Sequence, residues 1–468
     1  MSKFSKYRMV LILAPVLAIS LAGLVYADEA KPAQQAVSTQ PPPDTKDQKP
    51  GKKLTIEEAI NMALPGHPKI QAATQNLRAG KFNTLAVQSA FWPQLTFDAS
   101  RSYFWAENIA KVPVPLSLPP RVRTLDFTTQ TTTDNLAFNA NWILFDFGRT
   151  YYSVKSSKSL EKSLMDNLNS AEQTVAYDIM DAYYNVLKFQ SLVKVAHETL
   201  DDANAHLKQA QAFYDVGTKP KFDVTQAEVQ VNNAKVLVIQ SEDAVKVAVV
   251  NLNTRIGIDP LAPTEVEDRP VLETLESPME HYMQQAIANR PDLKSLEDTY
   301  HSNEMLVKSQ MAGFLPTISA NASYGWRKQD SFDTLNDSDI IIAADIQIFS
   351  GFNTVAKVGQ ARANMLSTKY TIEDTKNDIL NQVGISYIAI EDAKASHEGF
   401  KATVRSAREN LDIANGRYEA GVGAILDVTD AQVSLTTAES NLAQAFYNYH
   451  LAFSKLLRTT GTPPRHQK

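Results

Sequence analysis

The sequence predicts a mostly α-helical protein that carries membrane β-strands and is built as one unit written twice. Three observations lead there. Phe213-Tyr-Asp-Val-Gly217 followed by Asp223-Val-Thr-Gln-Ala-Glu-Val229 returns as Arg417-Tyr-Glu-Ala-Gly421 followed by Asp427-Val-Thr-Asp-Ala-Gln-Val433, an offset of 204 residues. Each copy holds two segments of roughly 10 residues in which apolar and polar side chains alternate. Each copy also holds a heptad-like apolar stripe over 60 residues long, and in the first copy no proline or glycine interrupts it between Arg149 and Val216.

In chain order, Lys3, Lys6 and Arg8 precede an apolar run from Met9 to Val25, and Val25-Tyr26-Ala27 offers small residues at a cleavage site. Residues 1–27 are therefore expected to be a secretory signal peptide. Residues 28–53 are rich in proline and polar side chains, including Pro41-Pro42-Pro43, and read as an unpacked linker. No later run approaches the ~18 apolar residues of a spanning helix, so any membrane crossing after processing falls to β-strands. The chain has 0 cysteines, which excludes disulfides, thiol chemistry and a lipidated N-terminal cysteine. Its formal charge of −6 becomes −9 once the three basic residues of the signal are removed, which argues against nucleic acid as a partner.

The first copy spans residues 54–257, a connector 258–276, the second copy 277–461, and a tail 462–468. The 204-residue offset holds without a gap from Phe145/Phe349 to Gly257/Gly461. Upstream, Phe91-Trp-Pro-Gln-Leu95 matches Phe314-Leu-Pro-Thr-Ile318 at an offset of 223, so the first copy contains 19 extra residues. They are expected to be loop, around the proline-rich stretch Lys111–Arg121. Leu95, Phe97 and Ala99 alternate with Thr96, Asp98 and Ser100; Phe138, Ala140 and Trp142 alternate with Ala137, Asn139 and Asn141. In the second copy Ile318, Ala320, Ala322, Tyr324 and Trp326 form one apolar file, and Ile340, Ile342, Ala344 and Ile346 another. Phe138, Trp142, Ile342 and Ile346 are the expected lipid-facing positions, with Trp105, Trp142 and Trp326 at the interfaces. The long stripes predict coiled-coil helices of about 100 Å. Shorter leading helices, near 55–91 and 279–314, and return helices, 224–255 and 428–457, complete each copy.

Four amphipathic strands cannot close a barrel, because about eight is the smallest closed size. An open edge in lipid leaves unpaired N–H and C=O groups at several kcal/mol each. The strands must pool between chains. Two chains give a barrel plugged by its own side chains, whereas three give twelve strands with room for a lumen lined by Ser, Asn, Thr and Asp.

Signal peptide, duplicated strand–strand–long-helix unit and the twice-placed Tyr-x-x-Gly-x-x-x-x-x-Asp-Val turn together resemble the TolC-like outer-membrane efflux proteins. The resemblance implies a homotrimer with a twelve-stranded barrel in the outer membrane of a Gram-negative bacterium, continued by a periplasmic α-helical coiled-coil barrel. It implies a passive exit duct of a tripartite efflux or type I secretion system, docked on an inner-membrane pump through a periplasmic adaptor. The turns then lie at the periplasmic tip, where Gly217 and Gly421 end the long helices. Asp427 and Asp430 match the family's aperture acids and, three apart on one helix face, would form carboxylate rings. Tyr418 matches the residue that ties the closed tip together, but Gly423 stands where the family has a basic partner. Asp223 is expected instead to cap its helix, as Asp427 also could. Eight histidines show no ligand spacing, and no nucleophile set, phosphate loop or metal motif is present, so no catalytic residue and no cofactor is expected. The alternative is a periplasmic coiled-coil structural or adaptor protein with the strands as a small soluble domain.

Overall fold

The structure, a computed structural model, describes residues 53–113, 122–268, 275, 277–330 and 334–462. The signal peptide, all but Lys53 of the linker, parts of the connector and most of the tail lie outside the described residues. Each copy runs through two short helices, two strands, one long helix and one return helix. In the first copy these are α1 (Ile56–Ala63), α2 (Pro68–Gln88), β1 (Gln94–Pro113), β2 (Val122–Phe145), α3 (Arg149–Asp215) and α4 (Lys221–Ile256). The second copy gives α5 (Met279–Asn289), α6 (Pro291–Met311), β3 (Thr317–Gln329), β4 (Leu335–Asp345), α7 (Asn353–Glu419) and α8 (Ile425–Thr459).

The duplication is metrically faithful in the helices. α3 and α7 are both 67 residues long, about 100 Å at 1.5 Å per residue, and both of their ends are 204 residues apart. Each leading helix expected as one piece is two, because Pro68 and Pro291 each start a new helix. Proline has no N–H to give the preceding turn, so it suits the first position of a helix and breaks a continuous one. Asp146 Oδ2 accepts from the Thr150 N–H at 2.8 Å to start α3, and its twin Ser350 does the same for Thr354 at 3.3 Å to start α7.

Beside the strands the helices pack in the order α2-α3-α6-α7, and beside the turns in the order α4-α3-α8-α7. The α3–α6 seam is a column of hydroxyl pairs: Ser153 with Ser309 at 2.8 Å, Ser156 with Ser302 at 2.9 Å, and Ser163 with Ser295 at 2.8 Å. Small side chains let the two backbones approach, and the paired hydroxyls satisfy each other where water is excluded. The apolar core sits at mid-height. One cluster joins α1 and Leu54 to Ile179, Val186 and Leu252; another joins α5 and α6 to Ile379, Val383, Ile390 and Leu456.

The strands form one antiparallel sheet, β1-β2-β3-β4. Its hairpin register also repeats: Phe97 lies opposite Phe138 as Ala320 lies opposite Ile342, and Leu95 opposite Ala140 as Ile318 opposite Ala344. The first hairpin then outruns the second. β3 and β4 stop pairing at Arg327↔Leu335, whereas β1 and β2 continue to Pro113↔Val122. The 19 extra residues of the first copy are thus mostly strand, not the loop that their prolines suggested. β1 and β2 have 20 and 24 residues, about twice the expected length. Thr132, Thr131 and Gln130 of β2 lie opposite Tyr103, Phe104 and Trp105 of β1 and carry the ladder on to Pro113; residues 114–121 lie outside the described residues.

Candidate functional site

Two ends of the molecule carry the candidate functional residues. At the strand end, paired residues share a face, so the register sorts every side chain. One face bears the rows Leu95-Ala140-Ala322-Ile340, Phe97-Phe138-Tyr324-Ser338 and Ala99-Leu136-Trp326-Asn336, apolar except at the last two β4 positions, with Trp142, Ala320 and Ile342 below. The other bears Thr96, Asp98, Ser100, Asn139, Asn141, Asn321, Ser323 and Asp339. From Ile318 to Trp326 the apolar rows cover about 26 Å along the strand, or about 20 Å once tilted as in a barrel, close to a membrane band. Phe138, Trp142 and Ile342 lie on the apolar face, and Ile342 is 70% exposed in the single chain. Trp142 also donates from Nε1 to the Phe91 carbonyl at 2.9 Å.

Ile346 differs from its twin Trp142 in falling one residue beyond β4. β2 has a partner on each side, so β3 holds Trp142 in the ladder; β4 has only β3, which ends at Thr317. Trp105 is displaced too. It pairs with Gln130 on the protruding hairpin, beyond the four-stranded part that ends at Ser100-Asn135-Arg327-Leu335 and the three-stranded part that ends at Ser102-Thr133-Gln329.

At the other end, both turns are built alike. The Gly217 N–H bonds the Tyr214 carbonyl at 2.9 Å and the Thr218 N–H bonds that of Phe213 at 2.9 Å; the Gly421 and Val422 N–H groups repeat this to Tyr418 and Arg417 at 3.1 and 3.0 Å. These paired bonds close the last helical turn and require a left-handed residue, here glycine at φ 79° and 78°.

The side chains on these matched turns do different things. Tyr418 is 1% exposed, and its hydroxyl donates to Asp223 Oδ2 at 2.9 Å. Burial, then the Asp223 carboxylate, raise the Tyr418 pKa, so the phenol stays protonated and able to donate. Asp223 is itself buried at the third position of α4, whose cap is Pro220 without a side-chain bond. The expected capping role for Asp223 is therefore wrong: a buried carboxylate aimed between the copies takes the Tyr418 proton donor instead. Its twin Asp427 is the one that turns back on its own helix, accepting from the Ala424 N–H at 3.3 Å. Asp427 and Asp430 are both exposed, and among the described residues neither forms an ion pair.

Lys219 was not singled out by the sequence reading, yet it closes this junction. Its Nζ lies 4.4 Å from the centre of the Tyr418 ring and 3.3 Å from the Gly423 carbonyl oxygen. Phe213 packs edge-on against the same ring at 5.8 Å. A Cβ on Gly423 would stand 3.0 Å from Arg417 and from the Tyr418 N, so a side chain there requires the Arg417–Tyr418 turn to give way. The repeat offset holds the missed signal: Lys219 is the first-copy twin of Gly423, and the cation sits on the other turn.

Residues 59–257 and 282–462 match the outer membrane efflux protein family. The chain belongs to that family. Alkaline protease secretion protein AprF of Pseudomonas aeruginosa is 25% identical over 433 residues, covering 86% of this chain and 83% of AprF. Outer membrane efflux protein BepC of Brucella suis is 24% identical over 417 residues, covering 87% and 85%. Among solved structures, the outer-membrane channel OprN superposes with a TM-score of 0.74 at 18% identity over 87% of this chain and 90% of that one. VceC from Vibrio cholerae gives 0.74 at 18%, over 87% and 96%. This protein is an outer-membrane export channel with a periplasmic helical extension, in a family of channels rather than enzymes.

Proposed function

We propose that three copies close into a twelve-stranded barrel and one continuous helical tunnel, conducting cargo handed over by an inner-membrane pump and a periplasmic adaptor. One observation carries this reading: every layer of the single chain ends in open edges. Among the described residues β1 and β4 each lack a second partner, and α2 and α7 flank the helical layer beside the strands in the same way. Both faces of the sheet remain open as well, with Ile340, Ile341 and Ile342 all exposed although they point to alternate sides. A soluble domain would cover one of these faces, which speaks against the adaptor alternative.

In the trimer Phe138, Trp142, Ile342 and Ile346 contact lipid, while the polar face lines the lumen. Asp427 and Asp430 supply six carboxylates around the axis at the periplasmic aperture, favouring cations in the resting pore. Tyr418, Asp223 and Lys219 hold the two turns of each protomer together, so opening requires that contact to break. Native mass spectrometry in detergent should show three chains. A stable monomer in detergent-free buffer would overturn the proposal.

A further inference from the structure

Above the apolar band the outward face of β1, β2 and β3 changes character in a single step. The row Ala99-Leu136-Trp326 is followed by Arg101, Asp134 and Lys328, opposite one another on β1, β2 and β3. Arg101 grips Asp134 with Nε and Nη2, at 2.5 and 2.8 Å from the two carboxylate oxygens. That uses two of its five N–H donors; Tyr103 is a further hydrogen-bond partner of the guanidinium, which stays 59% exposed and keeps donors to spare. With Lys328 on the far side of Asp134, the row carries one net positive charge. Two residues further along β1, Tyr103 and Trp105 share this face; their rings lie nearly parallel, 19° apart with centres at 6.0 Å, and both are exposed. Glu107 follows on the same face, which confines the anion-attracting stretch to the row itself.

The geometry points to a binding site for a phosphorylated glycolipid of the outer leaflet, its phosphate held by Arg101 and Lys328 and a sugar ring laid on Tyr103 and Trp105. The inference rests on the barrel reading, because only there does this row stand at headgroup level on the lipid side. Charge and chemistry choose the occupant. A basic row just outside an apolar band matches a lipid phosphate, a guanidinium edge matches its oxygens, and an aromatic pair offers an apolar platform with polar rims to a pyranose face. Asp134 sets the affinity by competing with the phosphate for both cations.

That competition gives a test with opposite signs. Trimers of the wild type, Arg101→Gln/Lys328→Gln, Asp134→Asn and Tyr103→Ala/Trp105→Ala are purified from outer membranes, and trimer content is read first, so loss of the barrel is distinguished from loss of the lipid. Purified lipopolysaccharide, intact or dephosphorylated, is then titrated in, with retained lipid per trimer measured by native mass spectrometry. The double Gln variant should retain about tenfold less intact lipid and lose the preference for the phosphorylated form. Asp134→Asn should retain more than the wild type, an outcome that a merely structural ion pair does not give. Tyr103→Ala/Trp105→Ala should weaken both forms alike. Wild-type retention by the double Gln variant, or equal binding of the dephosphorylated lipid by the wild type, would overturn the assignment.

Discussion

Where both hairpins pair in the four-stranded part of the sheet, the two copies match rung for rung; at the turn end they do not. Phe138 and Ile342 occupy matched rungs of matched hairpins, whereas Asp223 is buried against Tyr418 and Asp427 is exposed on its own helix. The same divergence separates Tyr418, 1% exposed, from its twin Tyr214, 41% exposed. The difference teaches what duplication preserves. Backbone geometry within a unit is copied with the sequence, but the seam between units joins unlike surfaces, so twin side chains meet different neighbours. The two hairpins repeat a backbone register, whereas at the turns a side chain of one copy holds the other.

The largest test of equivalence is in the membrane. Arg at Phe138 or at Ile342 should each destabilise the trimer by about 2–4 kcal/mol, near the midplane, measured by thermal dissociation on semi-native gels. Arg at Ala343, on the opposite face, should be tolerated, and Arg at Ile346, past the end of β4, should cost less than at Ile342. A large gap between Phe138 and Ile342 would break the equivalence.

The mid-height core offers a second contrast. His450 is 5% exposed and stacks on Tyr184, while its twin Lys246 is a surface residue paired with Asp243. Burial lowers the His450 pKa from 6.5 to about 4, with Asp268 pulling upward and His397 adding to the fall. The unfolded chain therefore binds the extra proton first, and stability is lost as pH drops from about 6.5 through about 4, by up to roughly 3 kcal/mol. His450→Phe should keep the packing and flatten this acid limb in a urea titration at several pH values. An unchanged acid limb would show that other groups control it.

At the turns the asymmetry itself can be measured. Asp223→Ala strands the buried Tyr418 hydroxyl and should cost about 1–3 kcal/mol of local stability. Asp427→Ala removes only an exposed helix-start bond, about 1 kcal/mol or less. Hydrogen exchange of the turn amides reports both. Equal effects would mean that the seam is looser than its geometry. A smaller contrast lies in the long helices, since α7 contains Gly359, Gly384, Gly399 and Gly416 and α3 contains no glycine. Space is open around Gly399 and Gly416, so Ala at either should stabilise α7 by about 0.5–1 kcal/mol and slow tip opening.

Much of this was legible in the sequence because periodicity and repetition are local signals. The 204-residue offset located both long helices and both turns, and alternation located four strands together with their faces. What was missed depends on contacts between distant segments. The extended first hairpin was hidden by its prolines, since nothing local shows that Thr128–Thr132 finds partners across the ladder. Asp223 read as a helix cap because its neighbour in space, Tyr418, is 195 residues away. Lys219 lacked meaning until the second turn was laid beside the first.

The central claim is a trimeric channel whose first-copy turn locks the tip and whose second-copy turn lines the aperture. Single-channel recording in planar bilayers tests it directly. Asp427→Asn/Asp430→Asn should weaken cation preference and block by multivalent cations while conductance stays low. Asp223→Asn should do the reverse, raising conductance as the Tyr418 contact loosens and leaving cation block in place. If both changes act alike, or if the double variant keeps its selectivity and block undiminished, the division of labour between the two turns is wrong.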